Sequence, residues 1–547
     1  MKKELIKALG DSFNKLGMES FHSIDVEVPP REELGDLSTP VAMTLAKTLK
    51  KPPRKIAEEL LTVLKNNIVF DKAEIAGPGF LNVTFSKAYL LLELKKLIRD
   101  KEIVLRDDIG KGRKVQIEFI SANPTGPLHL GHGRGGATGA ALANLLAAAG
   151  YKVEKEYYIN DAGRQVKLLG LSVFARYQQL LGQQFPFPED GYRGEYVEEI
   201  ANSIIAENGG KYLAMEFPDV SEFFIDFSYE MMLSGIREDL NHFGVVFDTW
   251  QSERELFKSG DVVKAIEDLR GKGYIYEKDG AIWFQSTAFG DDKDRVVIKQ
   301  DGEYTYFASD IAYHRNKIGR HFDELITIWG ADHHGYIPRV KAVLSALGYP
   351  AEKLRVLLVQ MVALLRGGTP VQMSKRSGDF VTLSEITDEV GTDITKFIFL
   401  TRRFDSHLEF DIEAAKAQSS ENPVFYVQYA NARINSIFAH AREKMINTGN
   451  PDTADLSLLA LAEEMRIIKK LLFYPMIFEG AVNACEPHRI TFYLQELSGL
   501  FHPYYNKHRI ITEDSELSRA RLALCDAIRI VLREGLGLLG VTAPDKM

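Results

Sequence analysis

The sequence predicts an α/β protein: a split parallel sheet with an insertion, a small α/β unit before it and an all-helical bundle after it. Three observations carry that prediction. Apolar runs of strand length alternate with helical stretches from Lys114 to about residue 165, and again from about 296 to 370. A less regular stretch, 166–295, separates the two halves. Beyond about residue 420, apolar residues recur at helix spacing to the end, as in "LALAEEMRIIKKLLFYPMIFEGA" and "LCDAIRIVLREGLGLLGV". A chain of 547 residues exceeds what one hydrophobic core organises, so several domains are expected.

Residues 1–108 form the N-terminal unit. Leu5, Ile6, Leu9, Phe13 and Leu16 stand at helical spacing with charges between them, which is unlike a secretory leader. "PVAMTLAKTLKKPPRKIAEELLTVLKNN" reads as helix broken at Pro52-Pro53, and "GPGFLNVTFS" as a strand entered through the turn Gly77-Pro78-Gly79. Residues 109–165 open the sheet with a strand ("KVQIEFIS"), a glycine-rich loop, a helix ("GATGAALANLLAAAG") and a second strand ("YKVEKEYYI"). Residues 166–295 are read as one insertion, and 296–370 as the second half of the sheet, ending in "LRVLLVQMVALL". A loop and helical connection, 371–422, leads to the bundle, 423–547.

Composition narrows the function classes. Cys485 and Cys525 lie far apart, so neither a disulfide framework nor a cysteine-based zinc knuckle is available. A formal charge of -9 excludes indiscriminate binding to nucleic acid, whose phosphates are held by Lys and Arg, and leaves local patches as the only route. Charged or polar residues interrupt every apolar run, so no membrane span is expected and the expected compartment is the cytoplasm.

Two motifs carry chemistry. "SANPTGPLHLGHGRGG", Ser121 to Gly136, sits where a strand turns into a helix, and backbone N–H groups at such a turn receive phosphates. It contains neither a dinucleotide fingerprint nor a phosphate-loop lysine, and His129 and His132 stand instead. Imidazoles there could stabilise charge on a reacting phosphate; a metal pair or loop-filling histidines are the alternatives. "TPVQMSKRSGDF", Thr369 to Phe380, puts Lys375 in a loop able to close over a polyphosphate, or simply to be solvated.

Together and in this order, the motifs resemble the two signatures of class I aminoacyl-tRNA synthetases. His129-Leu130-Gly131-His132 matches the first, and Met373-Ser374-Lys375 the core of the second, although Gln372 replaces that signature's first lysine and Arg376 its last serine. The flanks "IEFISANPTGPLHLGHGRG", "YTYFASDIAYHRNK", "MSKRSGDFVTL", "ENPVFYVQYANARI", "AGPGFLNV" and "LGVTAPDKM" resemble arginyl-tRNA synthetase over essentially the whole chain. The resemblance implies a Rossmann-type catalytic sheet, an N-terminal unit reading the D-loop of tRNA and an anticodon-binding helical bundle. His129, His132 and Lys375 become the catalytic residues. Glu118, Ser121, Asn123, Tyr306, Asp310 and Tyr313 are the arginine ligands, with Asp310 on the guanidinium, a planar cation that calls for carboxylates in fork geometry. His129, Gly131, His132, His334, Gly335, Met373 and Lys375 surround ATP. Phe80, Asn82, Tyr429 and Met547 meet tRNA.

The family often has a glutamine where Asp332 and His333 stand here. ATP with Mg2+ is expected as substrate, with no protein metal ligand and no tightly bound cofactor. The expected partners are tRNA(Arg), arginine and ATP, the expected state a monomer, and activation is expected to need tRNA. A pocket of buried hydrogen-bonding groups rejects analogues lacking them, so no editing activity is expected in 166–295. A small-molecule nucleotidylyltransferase or a non-catalytic tRNA-binding paralogue are the rival readings.

Overall fold

The computed structural model of the protein describes residues 1–18, 24–371, 381–419, 421–446 and 453–547. The N-terminal unit comprises α1 (Lys2–Leu16), β1 (Leu37–Thr39), α2 (Val41–Leu49), α3 (Pro53–Leu64), β2 (Phe70–Ala76), β3 (Phe80–Phe85) and α4 (Lys87–Asp100). Its antiparallel sheet has the order β1-β3-β2. The apolar stripes of α1 to α3, including Leu5, Leu9, Phe13, Leu45, Ile56 and Leu60, are fully buried. Pro53 begins α3, where its missing N–H costs nothing, so the double proline separates two helices as expected.

The central sheet starts with β4 (Lys114–Glu118), followed by α5 (Leu130–Ala148) and β5 (Lys152–Ile159). The helices α6 (Arg164–Leu180), α7 (Glu195–Asn208) and α8 (Phe217–His242) come next and share a core of their own around Phe174, Tyr177 and Phe224. The chain then lays β6 (Thr249–Ser252) against β5 as a parallel edge strand. This corrects the reading of 166–295 as one insertion: a strand of the central sheet lies within it. "TWQS" is too short and too polar to show the apolar run that reveals a strand. A small antiparallel sheet follows, made of β7 (Ile275–Lys278), β8 (Ala281–Phe284) and β9 (Arg295–Ile298).

Helix α9 (Tyr306–Gly319), β10 (Glu324–Gly330), α10 (Ile337–Leu347) and β11 (Leu354–Val359) complete the parallel sheet, whose order is β11-β10-β4-β5-β6. The chain therefore runs outward from β4 through β5 to β6, then returns to build β10 and β11 on the other side. Loops leaving β4 and β10 diverge, and their carboxyl ends frame the crevice where open α/β sheets bind ligands. The run "LRVLLVQMVALL", expected to close the catalytic half, is divided at Gln360-Met361. Its second part is β12 (Val362–Arg366), which pairs with β13 (Thr369–Pro370) and β14 (Leu408–Asp411) in a separate sheet.

Helices α11 (Pro423–Glu443), α12 (Ala462–Ala484), α13 (His488–Lys507) and α14 (Ser515–Leu538) form the C-terminal bundle, in which Cys485 and Cys525 are buried free thiols. The final residues return along α11. Gln428 Nε2 donates to the Thr542 carbonyl at 3.0 Å, Asn431 Nδ2 to that of Pro544 at 2.7 Å, and Asn435 Nδ2 to Asp545 at 3.1 Å. Among the described residues no helix is long and apolar enough to cross a membrane.

Candidate active site at the sheet crossover

The loop that leaves β4 is strained. Ile120 (φ 67°) and Ser121 (φ 41°) are consecutive non-glycine residues in the left-handed region, which costs most for a β-branched side chain such as Ile120. Hydrogen bonds impose the turn. Ser121 N–H donates to the Phe119 carbonyl at 2.9 Å, the Tyr158 N–H of β5 donates to Ser121 Oγ at 3.0 Å, and the buried Tyr157 hydroxyl donates to the Ala122 carbonyl at 2.8 Å. Asn123 Nδ2 reaches Gln165 Oε1 at 2.6 Å, tying the loop to the start of α6.

His129 caps α5. Its Nδ1 accepts the Gly131 N–H at 3.1 Å, and His132 Nδ1 accepts the His129 N–H at 3.2 Å, so the two rings stack with centroids 3.7 Å apart. Because each Nδ1 accepts from the backbone, each neutral imidazole carries its proton on Nε2. The pair thus stands at a helix N-terminus with Nε2–H groups as donors, an arrangement suited to phosphate oxygens. His129 also forms a backbone bridge to Thr382, and Leu383 N–H donates to the Leu128 carbonyl at 2.8 Å. The chain therefore emerges from the second motif directly beside the first. Met373 and Lys375 themselves lie outside the described residues.

A cluster of carboxylates occupies the floor. Glu118, at the end of β4, is bridged to the buried Lys317 and accepts from Ser121 Oγ at 3.4 Å. Lys317 also lies 4.2 Å above the Tyr313 ring, and the Tyr313 hydroxyl donates to the buried Glu156, which Arg320 joins at 2.5 Å. Two further carboxylates make no ion pair among the described residues, although the charges of Arg339 and Lys317 act on Asp310. Asp310 on α9 accepts from the Tyr336 hydroxyl, and burial pushes its pKa up to about 6, with Glu118 adding to the rise. Glu253, at the start of the helix Glu253–Lys258, accepts from Ser309 Oγ at 2.5 Å, while its Oε2 is buried without a hydrogen-bond partner. Burial raises Glu253 to about 7, and the charge on Asp310 adds to the rise. Burial thus disfavours the charged form of both neighbouring carboxylates, a penalty that a cation held between them would oppose.

The remaining predicted residues are dispersed around this floor. Tyr306, at the start of α9, is 56% exposed and accepts from the Arg164 N–H of α6 at 3.4 Å. His334 and Gly335 are exposed, in the 3-10 turn Ala331–Tyr336 that follows β10. Asp332 and His333 point outward in the same turn, 3.7 Å apart.

Three family models match the chain: the arginyl tRNA synthetase N-terminal domain over residues 2–85, the class I (R) tRNA synthetase catalytic domain over 93–417 and the DALR anticodon binding domain over 427–547. The arginine–tRNA ligase of Citrifermentans bemidjiense is 51% identical over 527 residues, covering 96% of this chain and 95% of its own. The chain belongs to the arginyl-tRNA synthetases. The arginine–tRNA ligase of Syntrophotalea carbinolica is 48% identical with both chains covered in full. The solved Thermus thermophilus arginyl-tRNA synthetase superposes with a TM-score of 0.78 over all of both chains; at 23% identity it speaks for the fold.

For an arginyl-tRNA synthetase, the residues expected to meet tRNA are placed unevenly. Phe80 opens β3 half-buried, whereas Asn82 is buried and accepts from Ser38 Oγ at 2.7 Å. Tyr429 is 36% exposed on α11, stacked on Phe425 with the Arg433 guanidinium 4.5 Å over its ring, and Met547 is 52% exposed. The carboxylate cluster of this candidate site also draws in residues that sequence reasoning missed: Glu253, Ser309, Tyr336 and Lys317. Ser252, an N-cap before "EREL", marks a helix start at Glu253, yet nothing local reveals that this carboxylate faces α9.

Proposed function

We propose that the crevice at the sheet crossover activates arginine and passes it to tRNA. As a member of this family the chain is an ATP-dependent arginine–tRNA ligase. The observation that carries the assignment of roles is the pair Asp310 and Glu253, carboxylates raised in pKa by burial and in no ion pair among the described residues, at the carboxyl edge of the sheet. The guanidinium of arginine supplies the missing charge, with its planar donors shared between the two carboxylates. Glu118, Ser121 and Asn123, at the end of β4 and in the loop that follows, hold the amino-acid end, with Glu118 anchored by its bridge to Lys317. Tyr306 covers the mouth, whereas Tyr313, buried with its hydroxyl committed to Glu156 and Lys317 over its ring, backs the pocket rather than touching arginine.

In the first step a carboxylate oxygen of arginine attacks the α-phosphorus of ATP, and the bond to the β-phosphate oxygen breaks to release pyrophosphate. His129 and His132 donate to phosphate oxygens as charge develops, and Lys375 neutralises the leaving pyrophosphate; these are positioning and electrostatic roles. Gly131 at the histidine turn, His334 and Gly335 in the turn after β10, and Met373 in the second motif are assigned to ATP by the family resemblance. In the second step a hydroxyl of the terminal tRNA ribose attacks the arginyl carbonyl and AMP leaves. Magnesium travels with ATP.

Phe80 and Tyr429 offer rings to unstacked bases, as single-stranded RNA recognition requires, and Met547 ends the tail stitched along α11. Asn82 would need to exchange its bond to Ser38 to take part. Dependence of activation on tRNA, absence of editing, a monomeric state and a cytoplasmic location complete the reading. ATP–pyrophosphate exchange with each of the twenty amino acids, with and without tRNA, tests it. Exchange with arginine only, and only with tRNA present, is expected; exchange driven by another amino acid would sink the assignment of the pocket.

A further inference from the structure

Tyr336 closes the 3-10 turn between β10 and α10, and nothing in the two sequence motifs points to it. Its ring is held by neighbours on two sides, the Arg339 guanidinium 4.4 Å above it and Trp329 edge-on at 6.0 Å. Its hydroxyl donates to Oδ2 of Asp310. No described residue donates to the other oxygen, Oδ1.

From this geometry we infer that Tyr336 is a positioning residue for arginine selection: it pins one oxygen of Asp310, so that the carboxylate presents its second oxygen, together with Glu253, to the guanidinium. A carboxylate on a helix rotates readily about its last torsion, and a fork of planar donors needs acceptors fixed in both place and plane. Burial keeps the phenol protonated, so toward Asp310 it can only donate. The hydrogen bond also favours the charged form of Asp310 and opposes the cost of its burial. The other ionisable groups acting here are Glu118 from β4, Tyr158 from β5, Glu253 from its own short helix, Lys317 on α9 and Arg339 on α10. All of them remain when the phenol oxygen is deleted.

This inference rests on Asp310 and Glu253 being the seat of the guanidinium, and the test separates the two. The full-length chain, its Tyr336→Phe variant and its Asp310→Asn variant are compared in arginine-dependent ATP–pyrophosphate exchange with saturating tRNA across the pH range 5.5 to 8. In Tyr336→Phe, KM for arginine rises about tenfold while kcat stays within about twofold, because the lost interaction acts on binding. The acid limb of kcat/KM for arginine also moves to higher pH, since a carboxylate deprived of its donor takes up a proton more readily. An unmoved KM and an unmoved limb in Tyr336→Phe, with KM raised in Asp310→Asn, overturn the role of Tyr336 alone. An unmoved KM in Asp310→Asn overturns the pocket reading beneath it. Equal losses in kcat and kcat/KM with a lowered thermal midpoint would make Tyr336 a structural residue and also overturn the inference.

Discussion

At the scale of single residues the site is a problem of charge placement. Glu118 and Glu156 are paired with Lys317 and Arg320, whereas Glu253 and Asp310 make no ion pair among the described residues, and in the proposed reading the guanidinium of arginine takes that place. Glu253→Gln keeps the shape and removes the charge, so KM for arginine should rise ~10- to 100-fold, the worth of a charge-assisted hydrogen bond. Titration of arginine binding by calorimetry checks it. The two carboxylates titrate together between about 6 and 7 in the free chain, so kcat/KM for arginine should fall as pH drops through that window. Their effect on stability has the opposite sign. Both folded-state values lie above the ordinary ones, so the folded chain holds these protons more tightly than the unfolded one. The resulting stability is full below about pH 4 and is lost as pH rises toward 7, and bound arginine should offset that loss. Thermal midpoints with and without arginine at pH 6 and 8 would expose an error in this sign. For Lys375→Ala, turnover in exchange should fall ~10²- to 10³-fold with little change in ATP affinity, as for a donor used mainly in the transition state; a raised ATP requirement at unchanged turnover would count against it.

At the scale of elements, the strained turn after β4 depends on how closely α5 approaches the strand. A Cβ on Gly139 would stand 2.4 Å from the Phe119 ring, one residue before Ile120. Gly139→Ala should therefore cost about 1 to 3 kcal/mol in urea unfolding and shift Ser121 from its place, raising KM for arginine as well. A variant of native stability and native KM would show that the ring moves aside freely. On the far side of the crevice, Thr382 and Glu385 form a reciprocal cap, Glu385 N–H to Thr382 Oγ1 at 3.1 Å and Thr382 N–H to Glu385 Oε2 at 2.7 Å. That cap fixes the start of the helix Leu383–Val390 where the second motif rejoins the first, beside His129.

At the scale of the whole molecule, polar contacts between distant segments hold the domains together. Arg106, just before the sheet, makes a bidentate pair at 2.6 and 2.7 Å with Glu534 of α14. The Glu534 side chain is only 5% exposed, so Arg106→Met would strand a buried charge and should cost about 2 to 3 kcal/mol, read in denaturant unfolding. A loss near zero would mean that the junction relaxes to hydrate Glu534. The buried Lys396 donates to the carbonyls of Gly244 at 3.4 Å and Gly540 at 3.1 Å, so one ammonium joins the end of α8 to the C-terminal tail. Its helix, Thr392–Phe399, also carries Asp393, which accepts from Gln428 at 3.0 Å and from Thr542. The bundle and the catalytic half are thereby coupled through side chains.

The sequence by itself determined the α/β class, the strand-loop-helix around His129 and His132, the helical bundle and the family. Each of these is written in local periodicity or in short runs of residues that need no distant partner to be recognised. Tertiary structure alone decided that "TWQS" is an edge strand, because pairing with β5 rather than hydrophobic pattern makes it one. It also decided that "LRVLLVQMVALL" divides between two sheets. The same holds for the site: Asp310 was legible as one carboxylate on a helix, whereas Glu253, Tyr336 and Lys317 became part of it only when folding brought three separate elements together. Charge balance in a buried pocket is set by distances between remote residues, and no window of sequence contains them.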